Sequence, residues 1–236
     1  MQIHGCVVLV TGANRGLGQA FIKALQDAGA SKIYAAARNP ETVTPAHGVI
    51  PIKLDITNPE DILNAVAECK DINILINNAG ISLYSSNLFD PNSLTNLRKE
   101  IETNVFGTFA LIQAFASVLA ANGGGAVLNV LSALSWVSLK GAETYSASKS
   151  AIWSLTNGLR HVLAEQGTQL VGLHVGFMDT DMTKELSVAK ADPLDVARQA
   201  LLGIENGESE VLADTTSIEI KQALSMGIYL RSISRS

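Results

Sequence analysis

Val7-Val8-Leu9-Val10-Thr11-Gly12-Ala13-Asn14-Arg15-Gly16-Leu17-Gly18 joins an apolar strand, a glycine turn and a helix start without an intervening loop. The run Val7–Val10 is apolar throughout rather than alternating, as in a strand covered on both faces. Glycines at 12, 16 and 18 let the backbone turn tightly and let an anion approach its amides. The helix that follows adds N–H donors and a partial positive charge. Gly12, Asn14, Arg15, Gly16, Leu17 and Gly18 are therefore expected to cradle a pyrophosphate. The spacing is GxxxGxG, not the GxGxxG of the common dinucleotide fingerprint, so the turn alone is weak evidence.

The same pattern repeats along the chain. Val7–Val10, Ile33–Ala37, Val49–Leu54, Ile72–Ile76, Ala126–Leu131 and Leu170–Val175 read as buried strands. Helical stretches fall near 16–29, 58–69, 94–121, 145–165 and 193–206. Asn58-Pro59 and Asp192-Pro193 each place a cap and then proline at the first helical position. A last strand near Glu210–Leu212 and a helix near 216–225 close the series. Strand and helix in regular alternation predict one doubly wound α/β domain, a Rossmann-type parallel sheet with helices on both faces. No linker, repeat or charge run divides the chain.

Composition narrows the function. Of the 236 residues 47% are apolar and 17% charged, enough to build a large core and too apolar for a disordered chain. The net charge of −5 gives phosphate backbones nothing to attract, so nucleic acid is not expected as a partner. Cys6 and Cys69 read as buried thiols, and four scattered histidines form no metal-ligand spacing. The N-terminus has no cationic leader pattern. The apolar stretch Phe106–Ala121 is broken by Thr108, Gln113 and Ser117 and falls short of the ~20 residues a membrane span needs. A soluble cytoplasmic protein is the expectation, with no membrane partner.

Chemistry concentrates at the carboxyl ends of the strands, where open α/β sheets bind ligands. Tyr145 and Lys149 in Tyr145-Ser146-Ala147-Ser148-Lys149 are four apart on one helix, so they share a face. An ammonium beside a phenol favours the phenolate, so the Tyr145 pKa should fall below its reference and suit acid–base work on an alcohol/carbonyl pair. Ser132 ends the fifth strand at that edge, where a hydroxyl is placed to hydrogen-bond a substrate oxygen beside the phenol. Asn77-Asn78-Ala79-Gly80 ends the fourth. Asn104 lies inside an apolar helix, where a buried amide needs partners.

Together these residues resemble the short-chain dehydrogenase/reductase family, in its short single-domain branch. TGANRGLG at 11–18, Asp55, NNAG at 77–80, Asn104, Ser132 and YSASK at 145–149 match its motifs in order. The resemblance covers nearly the whole chain. It implies that Tyr145 is the proton donor and that Lys149 lowers its pKa and holds the nicotinamide ribose. Ser132 would position the substrate carbonyl, and Asn104 a water that relays protons from Lys149. Asp55 and Ile56 would border adenine, with Asn78, Ala79 and Gly80 beside the ribose. After strand six the family's Pro-Gly pair is Val175-Gly176 here, followed by Thr180 for the nicotinamide amide.

Strand two ends Ala36-Ala37-Arg38 without the acid that accepts a 2′-hydroxyl. Arg38 and Arg15 suit a 2′-phosphate through charge-assisted pairs, so NADP(H) is the expected cofactor. Leu134, Trp136, Tyr84, Phe177 and Met182 are expected walls of a fairly open pocket for a ketone or aldehyde. The family resemblance also implies a homodimer or homotetramer paired through the long helices. A dinucleotide-binding protein without catalysis is the competing reading, and a mere binder has no need of Ser132.

Overall fold

A computed structural model describes residues 1–85 and 87–231. Its strands are β1 (Val7–Thr11), β2 (Lys32–Ala37), β3 (Val49–Lys53), β4 (Ile74–Asn77), β5 (Ala126–Val130), β6 (Gln169–His174) and β7 (Glu210–Leu212). All pair in parallel, in the order β3-β2-β1-β4-β5-β6-β7. The direction of winding reverses between β1 and β4. There the carboxyl ends of two neighbouring strands diverge into separate loops and leave a crevice.

The helices are α1 (Gly16–Asp27), α2 (Pro59–Glu68), α3 (Ser93–Ile101), α4 (Thr108–Ala121), α5 (Glu143–Ala164), α6 (Pro193–Glu205) and α7 (Thr215–Ala223). They cover the sheet on both faces. Phe21, Ile22 and Leu25 of α1 pack with Val196, Ala200 and Ile204 of α6 on one side. Ile62 of α2, Leu111 and Phe115 of α4 and Leu163 of α5 form the other layer. Both faces of the central strands are thus dry, which is why those strands carry no polar alternation.

The expected caps are in place. Asn58 accepts from the amides of Glu60 and Asp61, and Asp192 from that of Leu194. Cys6 and Cys69 are both buried and unpaired, and burial pushes the Cys69 thiol up to about 12.

The long helix expected over 94–121 is not uniform. A π-helical turn, Glu102–Gly107, separates α3 from α4. A wider turn inserts one residue into the helical repeat and redirects the side chains within it. Taken together, Ser93–Ala121 is long and apolar enough to cross a membrane, where the shorter stretch Phe106–Ala121 was expected to fall short. Its apolar residues are explained by packing on the sheet through Leu111, Ile112, Phe115 and Leu119.

Candidate active site

The glycine turn is built from the backbone outward. Gly12 and Gly16 hold φ at +62° and +51°, left-handed values that a side chain resists. Gly18 packs so closely that an added Cβ would meet the Gly12 carbonyl oxygen at 2.1 Å. The hydroxyl of Thr11 accepts the amides of both Asn78 and Ala79 at 3.0 Å. The Asn78 side chain donates to the carbonyls of Thr11 and Gly12 at 2.8 and 3.1 Å. These bonds lock the end of β1 to the loop after β4, across the crevice.

The first turn of α1 has neither a capping side chain nor an acidic residue, so its amides are left for an anion. Thr180 packs against Gly16: a Cβ there would lie 3.3 Å from its Cγ2. Asn14 donates to Thr42 at 3.0 Å. Arg15 and Arg38 are both exposed, Arg15 being 3.8 Å from Asp181. Two of the expected contacts differ. Leu17 turns its side chain into the core, leaving only its backbone to the turn. Gly176 donates its amide to Asp214 at 2.8 Å, and a Cβ on it would clash with Thr216. Its smallness serves the docking of α7.

The loop of Asp55 is also self-contained. Its carboxylate accepts from the amide and hydroxyl of Thr57 at 2.9 and 2.7 Å, and its own amide donates to the buried Asp61. Ile56 packs against Gly107, where a Cβ would lie 2.8 Å from its side chain.

The catalytic candidates meet where β5 ends and α5 begins. Ser132 is buried, and its hydroxyl accepts from Leu134 at 3.1 Å. The same hydroxyl lies beside the Tyr145 phenol and favours its phenolate. Lys149 is buried with its Nζ 5.6 Å from the centre of the Tyr145 ring. Its bond runs elsewhere, to the Val130 carbonyl at 2.8 Å. Asn104 accepts from Ile81 N–H at 2.8 Å and donates to Ile81 O and Ser148 Oγ at 2.9 Å each. The π turn aims its amide at the loop after β4 and ties that loop to α5.

The electrostatics correct one expectation. The Tyr145 pKa is raised, not lowered. Burial disfavours the phenolate most, the Ser132 hydrogen bond opposes it, and the charge of Glu100 adds to the rise. Burial also brings Lys149 down to about 8. An ammonium that is itself desolvated and committed to a carbonyl does not outweigh the cost of burying a phenolate.

The expected substrate walls separate into two groups. Leu134 and Phe177 are half-buried, and Met182 and Tyr84 are exposed near the cleft. The Tyr84 ring lies over Gly141, where a Cβ would come within 2.4 Å of it. Trp136 is not a wall. The short helical turn Ala133–Ser135 carries it into the interior, where it stacks on His174 with ring centres 3.9 Å apart.

Four residues in or near the site were not singled out from sequence. Thr11 and Ser148 lie inside the quoted motifs without an assigned role, His174 lies just before Val175-Gly176, and Glu100 sits one helical turn before Asn104. Glu100 is fully buried and accepts from Leu83 N–H at 2.7 Å. Burial raises its pKa, against the Leu83 amide and the Thr144 hydroxyl.

Residues 6–191 match the family model described as short chain dehydrogenase. The chain belongs to the short-chain dehydrogenase family. A short chain dehydrogenase from Burkholderia cenocepacia, solved in complex with NADP, is 38% identical with a TM-score of 0.90. That match covers 95% of this chain and 94% of the other. An NADP-dependent 3-hydroxy acid dehydrogenase from Schizosaccharomyces pombe is 28% identical over 97% of this chain and 98% of its own length. A 3-oxoacyl-[acyl-carrier-protein] reductase from Vibrio cholerae is 30% identical, over 79% of each chain.

Proposed function

We propose that this short-chain dehydrogenase is an NADP(H)-dependent oxidoreductase that reduces a ketone or aldehyde to the alcohol and also runs the reverse reaction. One observation carries the reading: the Ser132 hydroxyl and the Tyr145 phenol meet at the carboxyl end of β5, with Lys149 beside them. The bound cofactor supplies the hydride to the carbonyl carbon. Ser132 holds the carbonyl oxygen, and Tyr145 delivers its proton there as charge develops. The raised Tyr145 pKa keeps the phenol protonated at neutral pH, ready for reduction. Alcohol oxidation needs the phenolate and is favoured as pH rises.

The cradle fits a dinucleotide: two left-handed glycines, an uncapped helix start, and a close approach at Gly18. Arg38 follows β2 with no acidic residue at that strand end, which supports a 2′-phosphate. The NADP carried by the Burkholderia neighbour points the same way. The names of the two curated relatives refer to a 3-hydroxy acid and a 3-oxoacyl group, which supports a ketone as the reacting group. Exposed Phe106 in the π turn and Val162 on α5 support pairing of subunits through the long helices, and the cytoplasm is the proposed compartment.

The test is a steady-state panel of ketones, aldehydes and 3-oxo acids with NADPH, on wild type and Tyr145→Phe. Phe keeps the ring and deletes only the transferable proton. Turnover is expected to fall by about 10²–10⁴-fold, with NADPH affinity held within a few-fold. Near-normal turnover in the variant removes Tyr145 from its role. A panel without turnover in wild type favours a protein that only binds the nucleotide.

A further inference from the structure

His174 ends β6 with no exposed surface. Its Nδ1 lies 3.0 Å from the carbonyl oxygen of Ser132. A carbonyl only accepts, so Nδ1 carries the proton and Nε2 is a bare lone pair. That Nε2 has no hydrogen-bond partner among the described residues. The Ser132 carbonyl also receives Ser135 N–H at 3.0 Å, so both its lone pairs are used.

The far side of the imidazole is equally constrained. Nε2 faces Glu210 Oε1 of β7 at 3.5 Å. Lys221 of α7 holds both Glu210 oxygens, at 2.9 and 2.7 Å. Lys221 also sits 4.7 Å over the Trp136 ring, and Trp136 stacks on the imidazole at 17°. The contacts form a ring through Ser132, His174, Glu210, Lys221 and Trp136. It closes along the chain through Ala133–Ser135.

We propose that His174 is a positioning residue for the reaction: its Nδ1–H fixes the backbone of Ser132, while the Trp136 stack holds the imidazole plane and Lys221 neutralises the carboxylate that faces Nε2. The inference rests on the reading of Ser132 as the hydroxyl that meets the substrate oxygen. It extends the site beyond β5 and α5 to the last strand and helix of the sheet. The charged groups around the ring are Glu210 from β7, Lys221 from α7 and Lys149 from α5. Burial holds the His174 pKa down to about 4, against the Ser132 carbonyl and Glu210, while Lys221 and Lys149 lower it further. The ring is therefore neutral at neutral pH, as a single Nδ1 proton requires. A reacting group displaced by a fraction of an ångström loses rate without losing affinity for a ligand bound elsewhere.

Three measurements test this. In ¹⁵N NMR of the wild-type protein near neutral pH, His174 should be neutral and protonated at Nδ1. An Nε2-protonated or cationic ring overturns the proposal, and this measurement needs no variant. Lys221→Met should raise the His174 pKa in the same spectra, because Glu210 then faces Nε2 unneutralised. An unchanged titration overturns the coupling through β7 and α7.

The third measurement compares His174→Phe, which keeps the ring stack and loses the donor, with His174→Asn, which places an amide N–H near Nδ1. Phe should lower kcat about ten-fold with the NADPH KM within two-fold, and Asn should restore most of the loss. Equal losses in both, or full activity in Phe, overturn the proposal. Ser132→Ala is assayed beside them. A loss there with none in His174→Phe overturns this inference alone. No loss in Ser132→Ala overturns the functional reading beneath it.

Discussion

The two sides of the cleft are built differently. On the side of β1, the glycine turn is defined by backbone. Two left-handed glycines, a contact too close for any side chain and the Thr11–Asn78 bonds leave it no alternative shape. On the side of β6, the segment after His174 carries the opposite design. It returns to α6 through a backbone bridge between Met178 and Ala191, and Met182, Lys184 and Glu185 between them are exposed. The first side suits a ligand that never changes. The second offers side chains that can be exchanged without touching the sheet, as expected where a substrate is chosen.

The sharpest way to break that contrast is Gly18→Ala. An added methyl would sit 2.1 Å from the Gly12 carbonyl, so the turn must open. NADPH binding by calorimetry should be lost or weakened more than ten-fold, and thermal unfolding should move down by the equivalent of about 1–3 kcal/mol. Unchanged binding would mean that the backbone does not dictate this side.

Arg38→Ala should raise the KM for NADPH by about 10–150-fold, the worth of one charge-assisted contact. NADH should be nearly indifferent, since its hydroxyl makes no such bond. A wild-type preference for NADH, or an unchanged ratio in the variant, sinks the assignment to a 2′-phosphate.

Lys149 stands where the two sides meet, and it separates activity from stability. Its folded pKa of about 8 lies below the unfolded value of 10.5, so burial disfavours the charged form. Native stability should therefore rise as pH climbs from about 8 to 10.5, where the unfolded chain holds more of that proton. Lys149→Met removes the buried charge. It should abolish turnover yet unfold no more easily than wild type at pH 7, with a gain of up to about 3 kcal/mol before the lost Val130 bond is counted. Denaturant titration at pH 7 and 9.5 checks both the sign and the narrowing of the difference.

The smallest effect belongs to the exchangeable side. Met182→Ala should change kcat/KM for the best carbonyl substrate by less than about five-fold, since a half-exposed methionine buries little area. NADPH binding should not move. A larger loss would show that the segment closes over the substrate more firmly than its exposure suggests.

The same contrast governs what could be read from the sequence. Unbroken apolar strands and positive-φ glycines are local properties, so the parallel sheet and the glycine turn were legible residue by residue, while the Asn–Ser–Tyr–Lys set was read through its resemblance to the family. Contacts between distant segments were not. Trp136 follows Ser132 closely enough to look like a pocket wall, but the turn at Ala133–Ser135 sends it inward to His174. Gly176 keeps a motif position while its amide serves Asp214. The Tyr145 pKa moves up because burial, which no spacing reveals, outweighs a lysine bonded elsewhere. The π turn left no mark in composition, since Glu102–Gly107 reads as ordinary helix.

That turn bears on how the chain tolerates changes in length. Removing a residue from an α-helix normally rotates everything beyond it by about 100°, taking an apolar face off its partner. Glu102–Gly107 already holds one residue more than an α-helical repeat. Its loss would leave α3 and α4 in phase and the packing of Leu111 and Phe115 undisturbed, while Asn104 would swing away from Ile81. The tie from the loop after β4 to α5, through Asn104, depends on it, so at this point the chain carries a length set by the groups beside its chemistry.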